Sequence, residues 1–361
     1  MLKKSLRNKR IFITGHTGFK GIWLSMLLRE LGANIYGYSL APVNNPIYDD
    51  VQSSLFEQSW YEDIRNVSKL KEAITEVQPD VIFHLAAQPL VIDSYQNPVY
   101  TFDVNVMGTA CLLDALKNYN KPCAVIAITT DKVYENLEWI YPYRENDRLG
   151  GHDPYSISKA CAELVIQSYR KSFFSPAKIR EHGIAVASAR AGNVIGGGDW
   201  SAHRIIPDIV RAFHSNSVLE VRNPTAVRPW QHVLDALYGY LVLAAKLISD
   251  AENPLWHSAW NFGPVATDNL RVNEIVEMAA QQWGGGQYQF KEPEAGTLHE
   301  AGLLRLDCSK AQQQLNWMPV WNAQKAITKT LNWYKTVLDD REGPAATALE
   351  QIRTYLSEAG S

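Results

Sequence analysis

A tyrosine and a lysine four residues apart in this sequence could together move a proton. Tyr155 and Lys159 stand in the stretch YSISK, and two side chains at this spacing are neighbours on one face of a helix. A cation beside a phenol favours the phenolate, so Tyr155 could act as a base well below the ordinary phenol pKa of about 10. The same spacing occurs by chance in many helices, and the pair therefore needs support from elsewhere in the chain.

A glycine-rich turn gives that support. Gly15, Gly18 and Gly21 lie in TGHTGFKG, between the apolar run RIFIT and an amphipathic stretch. Such a turn lets the pyrophosphate of a dinucleotide approach the backbone and lie at the N-terminus of a helix, where free N–H groups and the helix dipole favour negative charge. The other residues of this turn that we predict to contact the dinucleotide are His16, Thr17 and Phe19.

The elements around these motifs follow the rhythm of βαβ units. In the first half, short apolar runs such as DVIFHLAA and CAVIAITT alternate with amphipathic stretches such as NVMGTACLLDALK. Apolar runs without alternation are typical of parallel strands covered by helices on both faces. The predicted fold class is therefore α/β, with a doubly wound parallel Rossmann-type sheet over residues 1–190. A smaller, loop-rich α/β substrate domain is predicted over 191–361, while 232–262 is compatible with a return to the first domain.

Composition argues against several kinds of partner. The 361 residues carry a formal net charge of -3, which gives no broad attraction for nucleic acid or an anionic membrane. No run approaches the roughly 18 apolar residues of a membrane span. The cysteines are far apart and form no CxxC pair, so neither a zinc site nor a disulfide framework is indicated. We therefore expect a cytoplasmic protein that binds a small molecule, without nucleic acid, membrane or metal.

The segment that should bind the adenosine ribose departs from the usual pattern. The second strand, YGYSL over 36–40, lacks the acidic residue that normally binds the ribose, and no arginine replaces it. The pattern thus leaves the choice between NAD and NADP open. Loss of a charge-assisted hydrogen bond costs about 1.5–3 kcal/mol, so we expect loose retention of the cofactor. Asp63 and Ile64 are candidates to contact the adenine, although Asp63 could instead be a solvated loop carboxylate.

Together these residues resemble the extended short-chain dehydrogenase/reductase family, whose TGxxGxxG turn and YxxxK pair they match, and the resemblance covers nearly the whole chain. It implies a Rossmann-type fold, NAD as cofactor, and a homodimer or higher homo-oligomer, commonly formed through helices around 105–117 and 156–171. It also implies that Thr130, at the end of a strand, completes the site with a hydroxyl. The residues that it places beneath the cofactor are Leu85, Ala86 and Ala87, in HLAAQ.

Asp131 and Lys132 follow Thr130 directly and bear on the type of reaction. They lie where a strand would end, which is the expected rim of the active site in an open α/β sheet. A 4-epimerase needs only the hydroxyl, the phenol and the ammonium, whereas dehydration adds an acid and a second base. The pair therefore favours a dehydratase, and an exposed ion pair at a strand end is the alternative interpretation. Lys132 can be the base only if burial or a neighbouring cation lowers its pKa.

The resemblance extends to the nucleotide-sugar 4,6-dehydratases, which are lyases. Members that act on dTDP-glucose or GDP-mannose usually have a glutamate where this chain has Lys132, whereas Thr-Asp-Lys, TGHTGFKG and VRPWQHV are similar to the branch that acts on CDP-glucose. The resemblance thus implies CDP-glucose as substrate and a place in the synthesis of deoxysugars for bacterial surface polysaccharides, such as the O-antigen of lipopolysaccharide. An epimerase or reductase, another nucleotide sugar, and a non-catalytic dinucleotide sensor are the alternatives.

Residues that would bind the nucleotide sugar come from the same resemblance. Arg228, in VRPWQHV, matches the phosphate-binding arginine of the family, and a guanidinium fork suits phosphate oxygens. Asn193, in AGNV, matches a substrate-contacting asparagine. The further candidates are Ser94, Arg204 and His299, of which Arg204 and His299 are equally compatible with ordinary surface residues.

Overall fold

The computed structural model describes residues 2–265, 268–291 and 302–360. Its strands are β1 (Arg10–Thr14), β2 (Asn34–Ser39), β3 (Gln58–Tyr61), β4 (Val81–His84), β5 (Cys123–Ile128), β6 (Ile184–Ala191), β7 (Asn193–Ile195), β8 (Val218–Val221), β9 (Val227–Arg228), β10 (Trp230–His232), β11 (Ala259–Phe262), β12 (Leu270–Arg271) and β13 (Gln287–Phe290).

The α-helices are α1 (Leu2–Leu6), α2 (Phe19–Glu30), α3 (Pro46–Leu55), α4 (Val67–Val77), α5 (Val91–Gln96), α6 (Pro98–Phe102), α7 (Gly108–Ala115), α8 (Pro154–Ser172), α9 (Ile179–His182), α10 (Ile205–His214), α11 (Val233–Ser249), α12 (Val272–Trp283), α13 (Ser309–Leu315), α14 (Ala323–Leu338) and α15 (Pro344–Glu358). A π-helical turn spans Asp103–Met107, and 3₁₀ turns span Asp131–Val133 and Pro176–Lys178.

Seven strands form one parallel sheet, in the order β11-β6-β5-β4-β1-β2-β3. Successive side chains of a strand point to opposite faces, so Ile11 and Ile13 of β1 join one hydrophobic core while Phe12 joins a second. Helices pack on both faces, which explains why β4, β5 and β6 are buried along their whole length. The predicted α/β class with a doubly wound Rossmann-type sheet is confirmed.

The order of the strands creates the crevice in which such sheets bind ligands. The chain moves from β1 outward through β2 to β3, and then crosses to β4 on the other side of β1. At this reversal the connections from β1 and β4 diverge and leave a gap at the C-terminal ends of the strands. The glycine turn follows β1, and the predicted catalytic segments follow β5, so the topology brings them to one edge.

The second half of the chain adds three small sheets and also returns to the large one. The pairs β7 with β10, β8 with β13, and β9 with β12 lie outside the large sheet. Helix α11 packs on β5 and β6, and β11 pairs with β6, while the predicted return of 232–262 to the first domain stays a prediction. Helix α15 packs on α2 and α3. The predicted boundary near residue 190 stays a prediction.

None of the helices among the described residues is long and apolar enough to cross a bilayer.

Candidate active site

A cavity of about 1340 Å³ opens at the C-terminal edge of the sheet, between the ends of β5 and β6 and loops of the second half. It is the place where the predicted residues from distant parts of the chain meet. The predicted residues that line it are Thr130, Asp131, Lys132, Tyr155, Asn193, Arg204 and Arg228.

Tyr155 stands at the start of α8 because the sequence begins a helix there. Asp153 caps the helix, accepting hydrogen bonds from the backbone N–H of Ser156 at 2.9 Å and from its hydroxyl at 2.6 Å. Pro154 occupies the first turn, where its missing N–H costs nothing. Tyr155 is thereby fixed in the cavity wall, where the nearby hydroxyl of Thr130 lowers the pKa of its phenol.

Burial governs the proton affinities of the Tyr155 and Lys159 pair. It raises the pKa of Tyr155 to about 12, while the hydrogen bond with Thr130 and the positive charge of Arg204 act in the opposite direction. Burial also lowers the pKa of Lys159 to about 8, helped by the nearby cation Lys20. Lys159 Nζ donates to the carbonyl of Ile128 at 3.2 Å. The expected stabilisation of the phenolate by Lys159 therefore stays a prediction, and Arg204 is a second cation that favours the phenolate.

Asp131 is a buried acid with one oxygen unpartnered. The 3₁₀ turn after β5 is capped by Thr130, whose hydroxyl accepts from the N–H of Lys132 at 3.4 Å and donates to Asp131 Oδ1 at 3.0 Å. Asp131 is only 2% exposed, and its Oδ2 has no hydrogen-bond partner among the described residues. Burial raises the pKa of this carboxyl, although nearby cations oppose the effect. Burial therefore favours the protonated form of an acid that lines the cavity.

Lys132 lies beside Asp131 and also lines the cavity. Its side chain is half-buried, and its positive charge lowers the proton affinity of Asp131. The arrangement places an acid and an amine side by side at the rim, one residue beyond the hydroxyl that contacts Tyr155.

The glycine turn is shaped for the close approach of a ligand. Gly15 has φ +78, and a Cβ there would lie 2.7 Å from the backbone nitrogen of Ala86. A Cβ on Gly21 would lie 2.1 Å from the carbonyl oxygen of Gly15. No side chain caps the N-terminus of α2, which starts at Phe19 after Gly18, so its first N–H groups are available to an anion. The turn therefore fits the pyrophosphate of a dinucleotide such as NAD.

Two other residues of the turn, His16 and Thr17, are buried. The His16 ring is fully buried against Phe56, at 4.8 Å between ring centroids, and neither ring nitrogen has a partner among the described residues. Burial lowers the pKa of His16 to about 4, so the ring is neutral at pH 7. The hydroxyl of Thr17 lies 2.8 Å from that of Ser39. Ser39 ends β2, where the ribose-binding acid is missing from the sequence.

The residues predicted near the adenine are partly engaged by the protein itself. Both carboxylate oxygens of Asp63 accept hydrogen bonds from the Arg65 guanidinium, at 2.9 and 2.6 Å, so Asp63 is not simply a solvated carboxylate. Ile64 is buried and packs closely on Gly108. Leu85 and Ala86 continue from β4, and the Ala86 N–H donates to the hydroxyl of Thr14 at 3.3 Å. Contacts of Asp63, Ile64 and Ala87 with an adenine or nicotinamide stay predictions.

The predicted substrate residues divide into three groups. Asn193 and Arg228 line the cavity, as does Arg204, which is held by Asp199 at 2.8 Å. Ser94 is fully buried and donates to the carbonyl of Val91 at 2.6 Å, so the structure does not bring it into the cavity. Val91, Ile92 and Asp93, in the first turn of α5, line the cavity instead. His299 lies outside the described residues.

Lys20 is a charged residue of the cavity that the sequence analysis did not identify as a site residue. Lys20 lies two residues into α2, and its charge acts on both Asp131 and Lys159. Burial lowers the pKa of Lys20 to about 8. The signal was present, because a lysine inside a glycine-rich dinucleotide turn is unusual, but only the folded chain shows that it faces the acid and the amine.

A Rossmann-type sheet with a glycine turn after β1 and a hydroxyl, a phenol and an ammonium at its C-terminal edge defines the site of a short-chain dehydrogenase/reductase. The sequence profile of the family described as GDP-mannose 4,6 dehydratase matches residues 12–330. The chain is 47% identical over 356 residues to CDP-glucose 4,6-dehydratase of Salmonella typhimurium strain LT2, covering 98% of each protein. This chain therefore belongs to the nucleotide-sugar 4,6-dehydratase family that the profile describes.

Solved structures share the fold at low sequence identity. The dTDP-glucose 4,6-dehydratase of Bacillus anthracis strain Ames, determined in complex with NAD, has a TM-score of 0.74 at 21% identity, with 91% of this chain and 97% of that one covered. The UDP-glucose 4-epimerase of Thermotoga maritima, determined with UDP-glucose, has a TM-score of 0.76 at 19% identity, with 91% and 99% covered. Because both reactions occur on this fold, the fold alone does not choose between them.

Proposed function

We propose that this protein is an NAD-dependent lyase that converts CDP-glucose and yields CDP-4-dehydro-6-deoxy-glucose and water. The 47% identity to a CDP-glucose 4,6-dehydratase over 98% of both chains supports the substrate. The glycine turn, in which a Cβ at Gly15 or Gly21 would clash with the backbone, supports binding of a dinucleotide. The observation that carries the proposal is Asp131, an acid buried in the cavity wall whose Oδ2 has no hydrogen-bond partner among the described residues, since an epimerase has no need of it.

The first stage makes a ketone at carbon 4 of the sugar. Bound NAD supplies the redox chemistry, since it can take a hydride from carbon 4 and later return it at carbon 6. Tyr155 accepts the proton of the 4-hydroxyl in its phenolate form, and Thr130, which lies close to it, bonds the same sugar oxygen. The positive charge of Arg204 favours this phenolate, and we assign Lys159 the same role.

The second stage removes water across carbons 5 and 6. The ketone makes the hydrogen on carbon 5 acidic, and Lys132 in its neutral form takes that proton. Asp131 gives its proton to the 6-hydroxyl, which leaves as water while the double bond forms between carbons 5 and 6. Lys132 then gives its proton back to carbon 5 as the hydride returns to carbon 6, which removes the double bond. Burial raises the pKa of Asp131, which favours its role as the acid, and the adjacent placement of Asp131 and Lys132 matches the adjacent carbons on which they act.

The substrate's diphosphate would lie against the other wall of the cavity. Arg228 is buried there, and its guanidinium acts on Asp131 electrostatically. Arg204 and Asn193 lie on the same wall. Positive charge in this wall compensates the anionic nucleotide, although the whole chain carries a net charge of -3.

The proposal is tested by incubating the purified protein with NAD and, separately, with CDP-glucose, dTDP-glucose, UDP-glucose and GDP-mannose. Product mass and the alkali-induced absorbance of a 4-keto sugar are followed. We expect loss of one water from CDP-glucose. Loss of water from another substrate would keep the reaction and overturn the nucleotide assignment. Sugar interconversion without loss of water would establish an epimerase, and no reaction would favour a dinucleotide sensor. A requirement for added NAD would support the expectation that the cofactor is loosely retained, because β2 lacks the ribose-binding acid.

We also propose a homodimer formed through α6, the π-helical turn and α8. These neighbouring elements expose large apolar side chains, among them Val99, Met107, Leu164 and Phe173. Met107→Arg should shift the sedimentation coefficient from dimer to monomer. Met318→Arg is the matched control, because Met318 is 51% exposed against 52% for Met107 but lies elsewhere. A monomeric wild-type protein, or equal effects of the two substitutions, would contradict this assignment. The cytoplasmic location and the role in surface polysaccharides stay predictions.

A further inference from the structure

Glu163 is a buried carboxylate on the same face of α8 as Tyr155 and Lys159. It follows Lys159 by four residues and Tyr155 by eight, so the three side chains lie one above another along the helix. The Glu163 side chain is 4% exposed. No step of the proposed reaction uses it.

Every part of this carboxylate is hydrogen bonded to the ends of two strands. Oε1 accepts from the hydroxyl of Thr129 at 2.6 Å and from Arg190 Nε at 2.9 Å. Oε2 accepts from the hydroxyl of Ser188 at 2.7 Å and from the second guanidinium nitrogen of Arg190 at 3.0 Å. Thr129 directly precedes Thr130, whereas Ser188 and Arg190 lie on β6. The helix that carries the phenol is therefore tied to the strand end that carries the hydroxyl and the acid.

Arg190 extends the connection to the far side of the acid-bearing turn. Its guanidinium donates to the hydroxyl of Tyr134 at 2.9 Å and lies 5.0 Å from the centre of that ring. Tyr134 in turn donates to Asn261 Oδ1 at 2.7 Å. Since Thr129 and Tyr134 flank the segment 130–133, the Glu163 and Arg190 pair holds both ends of the segment that contains Asp131.

We propose that Glu163 is a positioning residue, which fixes α8 against the 130–133 segment and supplies the negative charge that keeps Lys159 an ammonium. This inference rests on the proposed function, because it assigns a role within the same site.

The charges around Lys159 explain why such a counter-charge matters. Burial and the cation Lys20, from α2, disfavour the ammonium, and Glu163 favours it. His84, from β4, also faces Lys159, but burial lowers the pKa of that imidazole to about 3 and leaves it neutral. The carbonyl of Ile128, from β5, accepts the hydrogen bond from Lys159 Nζ. The other charged groups near this cluster are Asp131, which acts on Lys20, and Arg190 and Arg170, which face Glu163.

The test removes the charge of Glu163 while keeping its shape. In Glu163→Gln, the pH midpoint of Lys159 should fall by about one unit, as expected for loss of an opposite charge one helical turn away. The midpoint is read from the ¹³Cε chemical shift of labelled lysine, with the Lys159 signal assigned by its loss in Lys159→Met. The alkaline limb of kcat/KM for CDP-glucose should move down in parallel. A purely structural role would lower kcat or Tm and leave the midpoint in place.

Three further variants separate charge from folding. Glu163→Gln leaves Arg190 buried without its anion and should lower Tm. Glu163→Gln combined with Arg190→Met removes both charges, and should regain Tm while keeping the lowered midpoint, so it carries the test if the single variant does not fold. Glu163→Asp retains the charge and should restore the midpoint. Glu145→Gln is the matched control, since Glu145 is a carboxylate of the same network that accepts from the Asn261 N–H at 2.9 Å.

The outcomes distinguish the inference from the proposed function. An unchanged Lys159 midpoint in a folded variant without the Glu163 charge, or an equal fall in Glu145→Gln, would overturn the inference. If the wild-type protein removes water from no nucleotide sugar, the proposed function fails, and the lysine titration still measures whether Glu163 holds Lys159 charged.

Discussion

The side chain of Asp131 combines a pKa that burial raises with an oxygen, Oδ2, that has no hydrogen-bond partner among the described residues. Asp131→Asn keeps the size of the side chain and removes its ability to donate a proton as an acid. We expect the rate of water loss to fall by roughly 10²- to 10⁴-fold, because general acid catalysis contributes about that much. Oxidation at carbon 4 should continue, so absorbance of reduced NAD at 340 nm should accumulate. A variant that removes water at the wild-type rate would exclude Asp131 as the acid.

Lys132 is the residue on which the reaction scheme depends most. If it removes the carbon-5 proton, Lys132→Ala should abolish exchange of that hydrogen with solvent deuterium, because the exchange needs the base and not the acid. Exchange is measured by mass spectrometry of recovered CDP-glucose and product. Asp131→Asn is the matched control and should exchange at carbon 5 without losing water. Normal exchange in Lys132→Ala would assign the base to another group.

Many residues that line the site could be predicted from the sequence because they lie in short contiguous motifs. TGHTGFKG, TTDK and YSISK each hold their key residues within one turn or strand end, so local spacing is enough to predict them. Lys20 facing Asp131, and Glu163 binding Thr129, depend on which strands become neighbours, and local spacing carries no such information. Ser94 shows that a position in the chain near the cavity does not fix the direction of the side chain. Its hydroxyl donates to the carbonyl of Val91 and points into the protein.

At the scale of elements, the turn between β1 and α2 contains glycines that are needed for different reasons. One lies too close to the backbone for a Cβ, and another has room for a Cβ in the free protein. A Cβ on Gly21 would lie 2.1 Å from the Gly15 carbonyl, whereas a Cβ on Gly18 would meet that oxygen at 3.5 Å, an ordinary contact. Gly21→Ala should therefore lower Tm by several degrees in the free protein. Gly18→Ala should leave Tm nearly unchanged and weaken NAD binding, measured by calorimetry, if the pyrophosphate approaches this residue. Equal losses of Tm would contradict the distinction.

The large elements could be predicted because their apolar runs are long and regular. The seven-stranded Rossmann-type sheet and the family are confirmed. The short strands β7 to β10 could not be predicted, since two- to four-residue segments among turn residues have no periodicity to detect. The sequence also did not show which strand β11 pairs with. Its pairing with β6 depends on how α11 crosses the sheet, and not on the residues of the strand.

At the scale of the molecule, Asp235 links α11 to the C-terminal helices. It accepts from the Val320 N–H at 2.6 Å and from the Tyr355 hydroxyl at 2.8 Å, and burial raises its pKa to about 7. In the unfolded chain the pKa is about 3.9. The folded state thus binds the proton more tightly, so this group's contribution to stability is complete below about pH 4 and is lost as the pH rises towards 7.

Asp235→Asn cannot ionise, and it provides the test of this linkage. The free energy of unfolding of the wild-type protein, relative to the variant, should fall by about 1.4 kcal/mol per pH unit between about pH 4 and 7. Urea unfolding at a series of pH values measures this difference. A difference that does not change with pH would show that Asp235 does not titrate with a raised pKa in the folded protein.

Helix α15 packs on α2, which follows the glycine turn, and on α3. Arg353 of α15 donates to Glu30 of α2 at 3.0 Å, and the Ala345 N–H donates to Asp50 of α3 at 3.1 Å. During translation the N-terminal half therefore emerges from the ribosome long before the helix that covers it has been made. In the nascent chain this face of α2 and α3 therefore stays uncovered until α15 has been made and has left the exit tunnel.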